Sequence, residues 1–120
     1  MSIAIFGGSG FIGTRLASLL SSESFKIFDK RASKIFPKNV RLCDVRQSDT
    51  FASDLSGADV VVLLAAEHRD DVTPTSLYYE VNFEGARNVV EEMRKKDVRR
   101  LIFTSTVAVY GLNSQCPDER

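Results

Sequence analysis

Three glycines spaced three residues apart, Gly7, Gly10 and Gly13, form the run Gly7-Gly8-Ser9-Gly10-Phe11-Ile12-Gly13 directly after a short apolar stretch, Ser2 to Phe6. Side-chain-free positions let a chain turn sharply and bring backbone N–H groups against a diphosphate, and the last glycine of such a run lets the following helix pack tightly on a sheet. The start of that helix adds a partial positive charge. Downstream, Asp29 ends the next strand-like segment, Phe25 to Phe28, about where a carboxylate accepts hydrogen bonds from the ribose of a bound dinucleotide. Asp29 also fits a plain strand-end turn. A carboxylate there repels a 2′-phosphate and favours NAD, while Lys30 and Arg31 soften the preference, because a cation can turn toward that phosphate. NAD is therefore the expected cofactor, ahead of NADP.

These residues need a scaffold that gathers them. Phe11, Ile12, Leu16, Leu19 and Leu20 recur at helical spacing, which predicts a helix from Phe11 to about Ser22. Lys30 to Asn39 reads as a loop, Val40 to Cys43 as a third strand, and Gln47 to Leu55 as a short helix. Asp59 to Ala66 is apolar without alternation, as strands are when helices cover both sheet faces. Thr73-Pro74 predicts a helix start, with the helix running to Lys96. Leu77, Val81, Val89 and Met93 fall in one row of it, and Gly85 sits where a close approach would need it. Arg94-Lys95-Lys96 suits the negative end of the helix dipole. Val98 to Thr104 is the fifth strand. Alternating strands and helices predict an α/β chain with a doubly wound parallel sheet, and the order 3-2-1-4-5 of the Rossmann arrangement is the expected one.

Composition narrows the function classes. The chain has 120 residues, 43% hydrophobic, with 16 basic and 16 acidic side chains, which points to one folded domain. Balanced charge argues against nucleic-acid or membrane-surface binding. Two cysteines and one histidine, His68, offer neither a disulfide framework nor a metal site. The longest apolar run, Val60 to Ala66, is far short of the ~18 residues of a membrane span. A cytoplasmic location is expected, because no signal-peptide pattern precedes the first strand.

Five motifs in order carry a resemblance: the glycine loop at 7–13, Cys43-Asp44-Val45-Arg46, Leu64-Ala65-Ala66, Tyr79-Glu80-Val81-Asn82-Phe83-Glu84-Gly85, and Thr104-Ser105-Thr106-Val107-Ala108-Val109-Tyr110-Gly111. Together they resemble the extended short-chain dehydrogenase/reductase family, and within it the NAD-dependent epimerase/dehydratase group acting on nucleotide sugars. The resemblance implies that Gly7, Gly10, Phe11, Ile12 and Gly13 hold the diphosphate, with Asp29 and Lys30 at the ribose. It gives Asp44 the adenine amino group, with the Val45 backbone alongside. Leu64, Ala65 and Ala66 line the pyrophosphate and nicotinamide-ribose side, joined by Asn82 and Thr104. Thr106 matches the catalytic Ser/Thr whose hydroxyl bonds the sugar group being oxidised. Where many relatives have histidine, this chain has Leu63, a change expected to affect packing more than chemistry. His68, in the polar loop Glu67 to Asp71, is expected to be merely exposed.

The family's general base, a tyrosine with lysine four positions later, has no counterpart here: Tyr78, Tyr79 and Tyr110 are followed at that distance by Asn82, Phe83 and Ser114. The expectation is therefore a cofactor-binding portion, 1–120, that stops before the sixth strand and the substrate domain and that binds NAD without turnover. Proton transfer by a positioned base is typically worth 10²–10⁴-fold. Exposed apolar surface on one side of the sheet should favour self-association. Relatives dimerise through helices matching Thr73 to Lys96, so a homodimer is expected. A non-catalytic NAD(P)-binding regulator and another extended-family reductase or dehydrogenase are the alternative readings. A hydroxyl retained at Thr106 favours the enzyme.

Overall fold

The computed structural model describes residues 1–69 and 71–106. Its strands are β1 (Ile3–Phe6), β2 (Phe25–Asp29), β3 (Val40–Leu42), β4 (Val60–Leu63) and β5 (Leu101–Phe103). They form one sheet in the order β3-β2-β1-β4-β5, and every pairing is parallel. The strand order is the expected 3-2-1-4-5. The direction of winding reverses between β1 and β4, the switch point at whose carboxyl-end side open α/β sheets bind ligands.

β1 is buried on both faces, which explains its lack of alternation. Ala4 and Phe6 join one core with Phe28, Phe51, Leu55, Val61, Leu63, Val89 and Met93, whereas Ile5 joins a second with Ala17, Phe25, Ile27 and Val62. The first core is organised by Phe6, which stacks on Phe28 at 4.7 Å and meets the edge of Phe51 at 5.1 Å. Leu63 is 2% exposed within it. At the sheet edge, Leu101, Ile102 and Phe103 are all exposed.

Helix α1 (Phe11–Ser18) ends sooner than its apolar spacing predicts. Leu19 and Leu20 donate backbone bonds only three residues back, to Leu16 and Ala17, and this tightening turns Leu19 out to 85% exposure. The helix expected over Gln47 to Leu55 is instead a 3₁₀ turn at Ser48–Thr50 followed by further turns. The Thr50 hydroxyl bonds the Gln47 carbonyl at 2.7 Å, a local bond of the kind that competes with regular helix. Phe51 and Leu55 still reach the core.

The long helix starts at Ser76 rather than at Thr73-Pro74, because Leu77 and Tyr78 make three-residue turn bonds to Pro74 and Thr75. It comprises α2 (Ser76–Tyr79), a π-helical segment (Glu80–Gly85) and α3 (Ala86–Lys95). A row repeating every four residues overshoots an α-helix by about 40° per step. The wider π turn takes up that drift, and Val81, Gly85, Val89 and Met93 are all buried.

Candidate functional site

The loop after β1 is set by contacts that exclude side chains. Gly7 has φ +80°, a left-handed conformation natural to glycine, and a Cβ on it would lie 2.8 Å from the Ala65 nitrogen in the segment after β4. A Cβ on Gly13 would lie 2.4 Å from the Gly8 Cα, so α1 is seated directly on the loop. At Gly10, the residue preceding α1, the nearest neighbour of an added Cβ is the Gly7 carbonyl oxygen at 3.3 Å. No side chain caps α1 and no acid lies in its first turn. Backbone N–H groups at this helix start are thus left to an incoming anion. Phe11 and Ile12 are exposed, and the Arg15 guanidinium lies 3.5 Å over the Phe11 ring. This close-packed loop, open at the helix start, fits a dinucleotide diphosphate.

Asp29 braces the loop. Its Oδ2 accepts from the Ser9 N–H and its Oδ1 from the Arg31 N–H, both at 3.0 Å, while the Ser9 hydroxyl donates to the Arg31 carbonyl at 2.8 Å. The strand-end turn role of Asp29 is therefore real, and each oxygen keeps a lone pair for a ribose hydroxyl. A cleft of about 460 Å³ opens beside it, lined by Ser9, Gly10, Phe11, Thr14 and residues 31–35. The cations on its wall are Arg31 and Lys34. Lys30 is exposed and instead acts electrostatically on Asp44.

Asp44 and Val45 follow β3. The Asp44 N–H donates to the Thr50 hydroxyl at 3.0 Å, and Val45 is buried in the first core. Hydrogen bonding from Arg46 holds the Asp44 carboxyl below its usual range, overcoming the opposing effect of burial. The neighbouring Cys43 thiol is pushed up to about 12, first by burial and then by the charges of Asp29, Asp44 and Asp54.

Beyond β4, the Leu64 N–H donates to the Phe6 carbonyl at 2.8 Å. Leu64 and Ala65 are half-buried and Ala66 is exposed. The side chain of Asn82, on the π segment, is bonded to the backbone of Glu67. The Tyr78 hydroxyl donates to the Arg69 carbonyl and accepts from the Val72 N–H at 3.3 Å. His68 is exposed, as expected. Past β5, the Thr104 hydroxyl reaches the Leu63 carbonyl at 3.4 Å, and Thr106 is exposed at the same end of the sheet. Residues 107–111 of the last motif, and Asp70, lie outside the described residues.

All of these segments meet at the carboxyl ends of the strands. Two contributors escaped the sequence reading. Gly8 completes the loop, since a Cβ there would sit 2.8 Å from the Ile27 side chain, and the glycine doublet was the available signal. Ser9 ties the loop to residue 31 across 22 positions, for which no local pattern exists.

A family described as NAD dependent epimerase/dehydratase matches residues 3–120. An N-acetyl-alpha-D-glucosaminyl-diphospho-ditrans,octacis-undecaprenol 4-epimerase of Escherichia coli O157:H7 is 50% identical over 119 residues, covering 98% of this chain and 36% of that protein. A UDP-glucose 4-epimerase of Vibrio cholerae is 33% identical over 118 residues, covering 92% of this chain and 36% of the relative. The chain thus spans little more than a third of these relatives. The UDP-glucose 4-epimerase of Thermus thermophilus, solved in complex with NAD, superposes with a TM-score of 0.75 at 26% identity, covering 88% of this chain and 38% of that one.

Proposed function

The chain belongs to the NAD-dependent epimerase/dehydratase family, and from that premise we propose that it is the cofactor-binding portion of an epimerase acting on a sugar diphosphate. Its cofactor is NAD. The sugar is best read as N-acetylglucosamine carried on a polyprenyl diphosphate, inverted at C4. One observation carries that choice: half of the residues are identical to an enzyme so named, across 98% of this chain. A nucleotide sugar, the substrate class first implied by the motifs, shares the glycosyl diphosphate and is the alternative carrier.

In this reading the α1 helix start and the glycines at 7, 10 and 13 bind the diphosphate of the cofactor, with the Phe11 and Ile12 N–H groups aimed at it. Asp29 accepts from the adenosine ribose, with Lys30, Arg31 and Lys34 nearby. Asp44 accepts from the adenine amino group, and the Val45 N–H donates to the ring. Leu64, Ala65 and Ala66 wall the nicotinamide-ribose side, Thr104 fixes the adjoining strand ends, and Asn82 holds the loop beyond β4. The Thr106 hydroxyl bonds the sugar hydroxyl. Bound NAD supplies the hydride acceptor that makes oxidation and re-reduction at one carbon possible. The base that takes the hydroxyl proton is not encoded as tyrosine-x-x-x-lysine within these 120 residues.

The same reading places the protein in the cytoplasm, without nucleic-acid partners, as a homodimer paired through the outer face of the long helix; a polyprenyl-linked sugar lies in a membrane, so that carrier departs from the expectation against membrane-surface binding. Tyr79 and Phe83 support the pairing: they stack at 5.0 Å and are 57% and 53% exposed. Among the described residues, no helix is long and apolar enough to cross a membrane.

The test is to supply the complete protein with NAD and N-acetylglucosaminyl diphospho-undecaprenol, or the corresponding UDP-sugar, and to analyse both sugar and cofactor. The 4-epimer on the lipid carrier, with no net NADH, is expected. Turnover of the UDP-sugar alone would move the assignment to a nucleotide-sugar epimerase. Stoichiometric NADH without epimer would make the protein a dehydrogenase.

A further inference from the structure

The turn after β3 is docked on the long helix at three points. Arg46 Nη1 lies 3.4 Å from Glu80 Oε2, the Asn88 amide donates to the Val45 carbonyl at 2.9 Å, and a Cβ on Gly85 would come within 2.6 Å of Val45 Cγ2. Inside the turn, Arg46 closes on Asp44. Its backbone N–H donates to Oδ1 at 3.0 Å, its Nε lies 3.0 and 3.1 Å from the two oxygens, and its Nη2 lies 2.6 Å from Oδ2. A guanidinium is a rigid planar fork, so contact with both oxygens fixes the plane of the carboxylate. Glu80 holds that fork from the far side.

A carboxylate has about four lone-pair sites. The backbone N–H, Nε and Nη2 of Arg46 take three of those sites across the two oxygens of Asp44 and leave about one for a further donor. An acceptor so oriented suits an amino group on a heterocycle and disfavours a carbonyl oxygen, which is repelled by the same charge.

We propose that Arg46, anchored by Glu80, is a positioning residue that sets the Asp44 carboxylate to select the 6-amino group of the cofactor's adenine. This rests on the reading of Asp44 as the adenine acceptor. Arg46 acts through Asp44 and needs no contact with the cofactor. The device also links the adenine end of the groove to the π segment that carries Asn82, because Glu80 is that segment's first residue.

The test titrates the full chain calorimetrically with NAD and with nicotinamide hypoxanthine dinucleotide, in which the 6-amino group is replaced by oxygen. The unaltered chain should prefer NAD by about tenfold, the worth of one hydrogen bond to a charged acceptor. In Arg46→Met the preference should fall toward one, chiefly through weaker NAD binding. Arg46→Lys should restore little of it, since one ammonium cannot span both carboxylate oxygens and Glu80. Equal weakening of both dinucleotides in Arg46→Met would reduce Arg46 to a structural role and overturn the proposal. Unchanged binding of both, or full restoration by lysine, would overturn it as well. No preference in the unaltered chain would instead refute the Asp44 reading, and the proposal with it. Thermal melting of each variant confirms that the folded protein is being titrated.

Discussion

The side-chain amide of Asn82 pairs with both backbone polar groups of Glu67: Oδ1 accepts the Glu67 N–H at 2.7 Å, and Nδ2 donates to the Glu67 carbonyl at 3.0 Å. The π segment is thereby stitched to the loop beyond β4, in which Leu64 and Ala65 pack against the two cores and Ala66 is exposed. Asn82 holds the backbone beyond β4 in place.

Replacing Asn82 with alanine removes two hydrogen bonds that water can partly replace at this exposed position. A stability loss of about 1 kcal/mol is expected. Asn82→Asp keeps the acceptor and loses the donor, so it should fall between the two. Urea unfolding measures both, and hydrogen exchange should show faster opening at residues 64–67 in each.

The glycines at 13 and 10 should fail differently when changed to alanine. At Gly13 the new Cβ meets backbone at 2.4 Å, so the fold should lose stability at or beyond the upper end of the ~1–3 kcal/mol overpacking range. At Gly10 the new Cβ would meet the Gly7 carbonyl oxygen at 3.3 Å, a tight contact the loop must yield to by a few tenths of an ångström, so Gly10→Ala should cost less stability than Gly13→Ala while NAD affinity drops. Melting curves paired with NAD calorimetry separate the two effects.

Phe51 is fully buried against Phe6 although it sits on an irregular turn. Phe51→Ala should cost about 3–5 kcal/mol, comparable to much of a small domain's stability, and is read as a fall in the denaturant midpoint.

If the long helix pairs two copies through Tyr79 and Phe83, Phe83→Ser should shift sedimentation from dimer to monomer with little change in the monomer's intrinsic stability. A protein already monomeric at high concentration would exclude that interface.

The Cys43 thiol titrates near pH 12 in the folded chain, against 9.0 ordinarily. The folded state binds this proton more tightly than the unfolded state, so its contribution to stability is complete below pH 9 and is lost progressively between about 9 and 12. Cys43→Ala should flatten that part of the stability profile. At neutral pH the buried thiol should resist alkylation until the protein unfolds.

The residue order by itself determined the parallel sheet and the tight turn after β1, because those depend on local quantities: the unbroken apolar run through β4, the glycine spacing at 7, 10 and 13, and the row Leu77, Val81, Gly85, Val89, Met93. Periodicity reports which face is buried, whatever the exact backbone; the row held even though a π turn, not a uniform α-helix, carries it. Choices among competing hydrogen-bond partners were decided only by tertiary packing. Arg31 with Lys34, rather than Lys30, came to line the cleft. Asp44 was claimed by a fork that Glu80 anchors from 34 positions away, and Asn82 found Glu67 across 15. Each of those groups had several partners within reach along the chain, and the winner was fixed only when the sheet brought distant backbone into range.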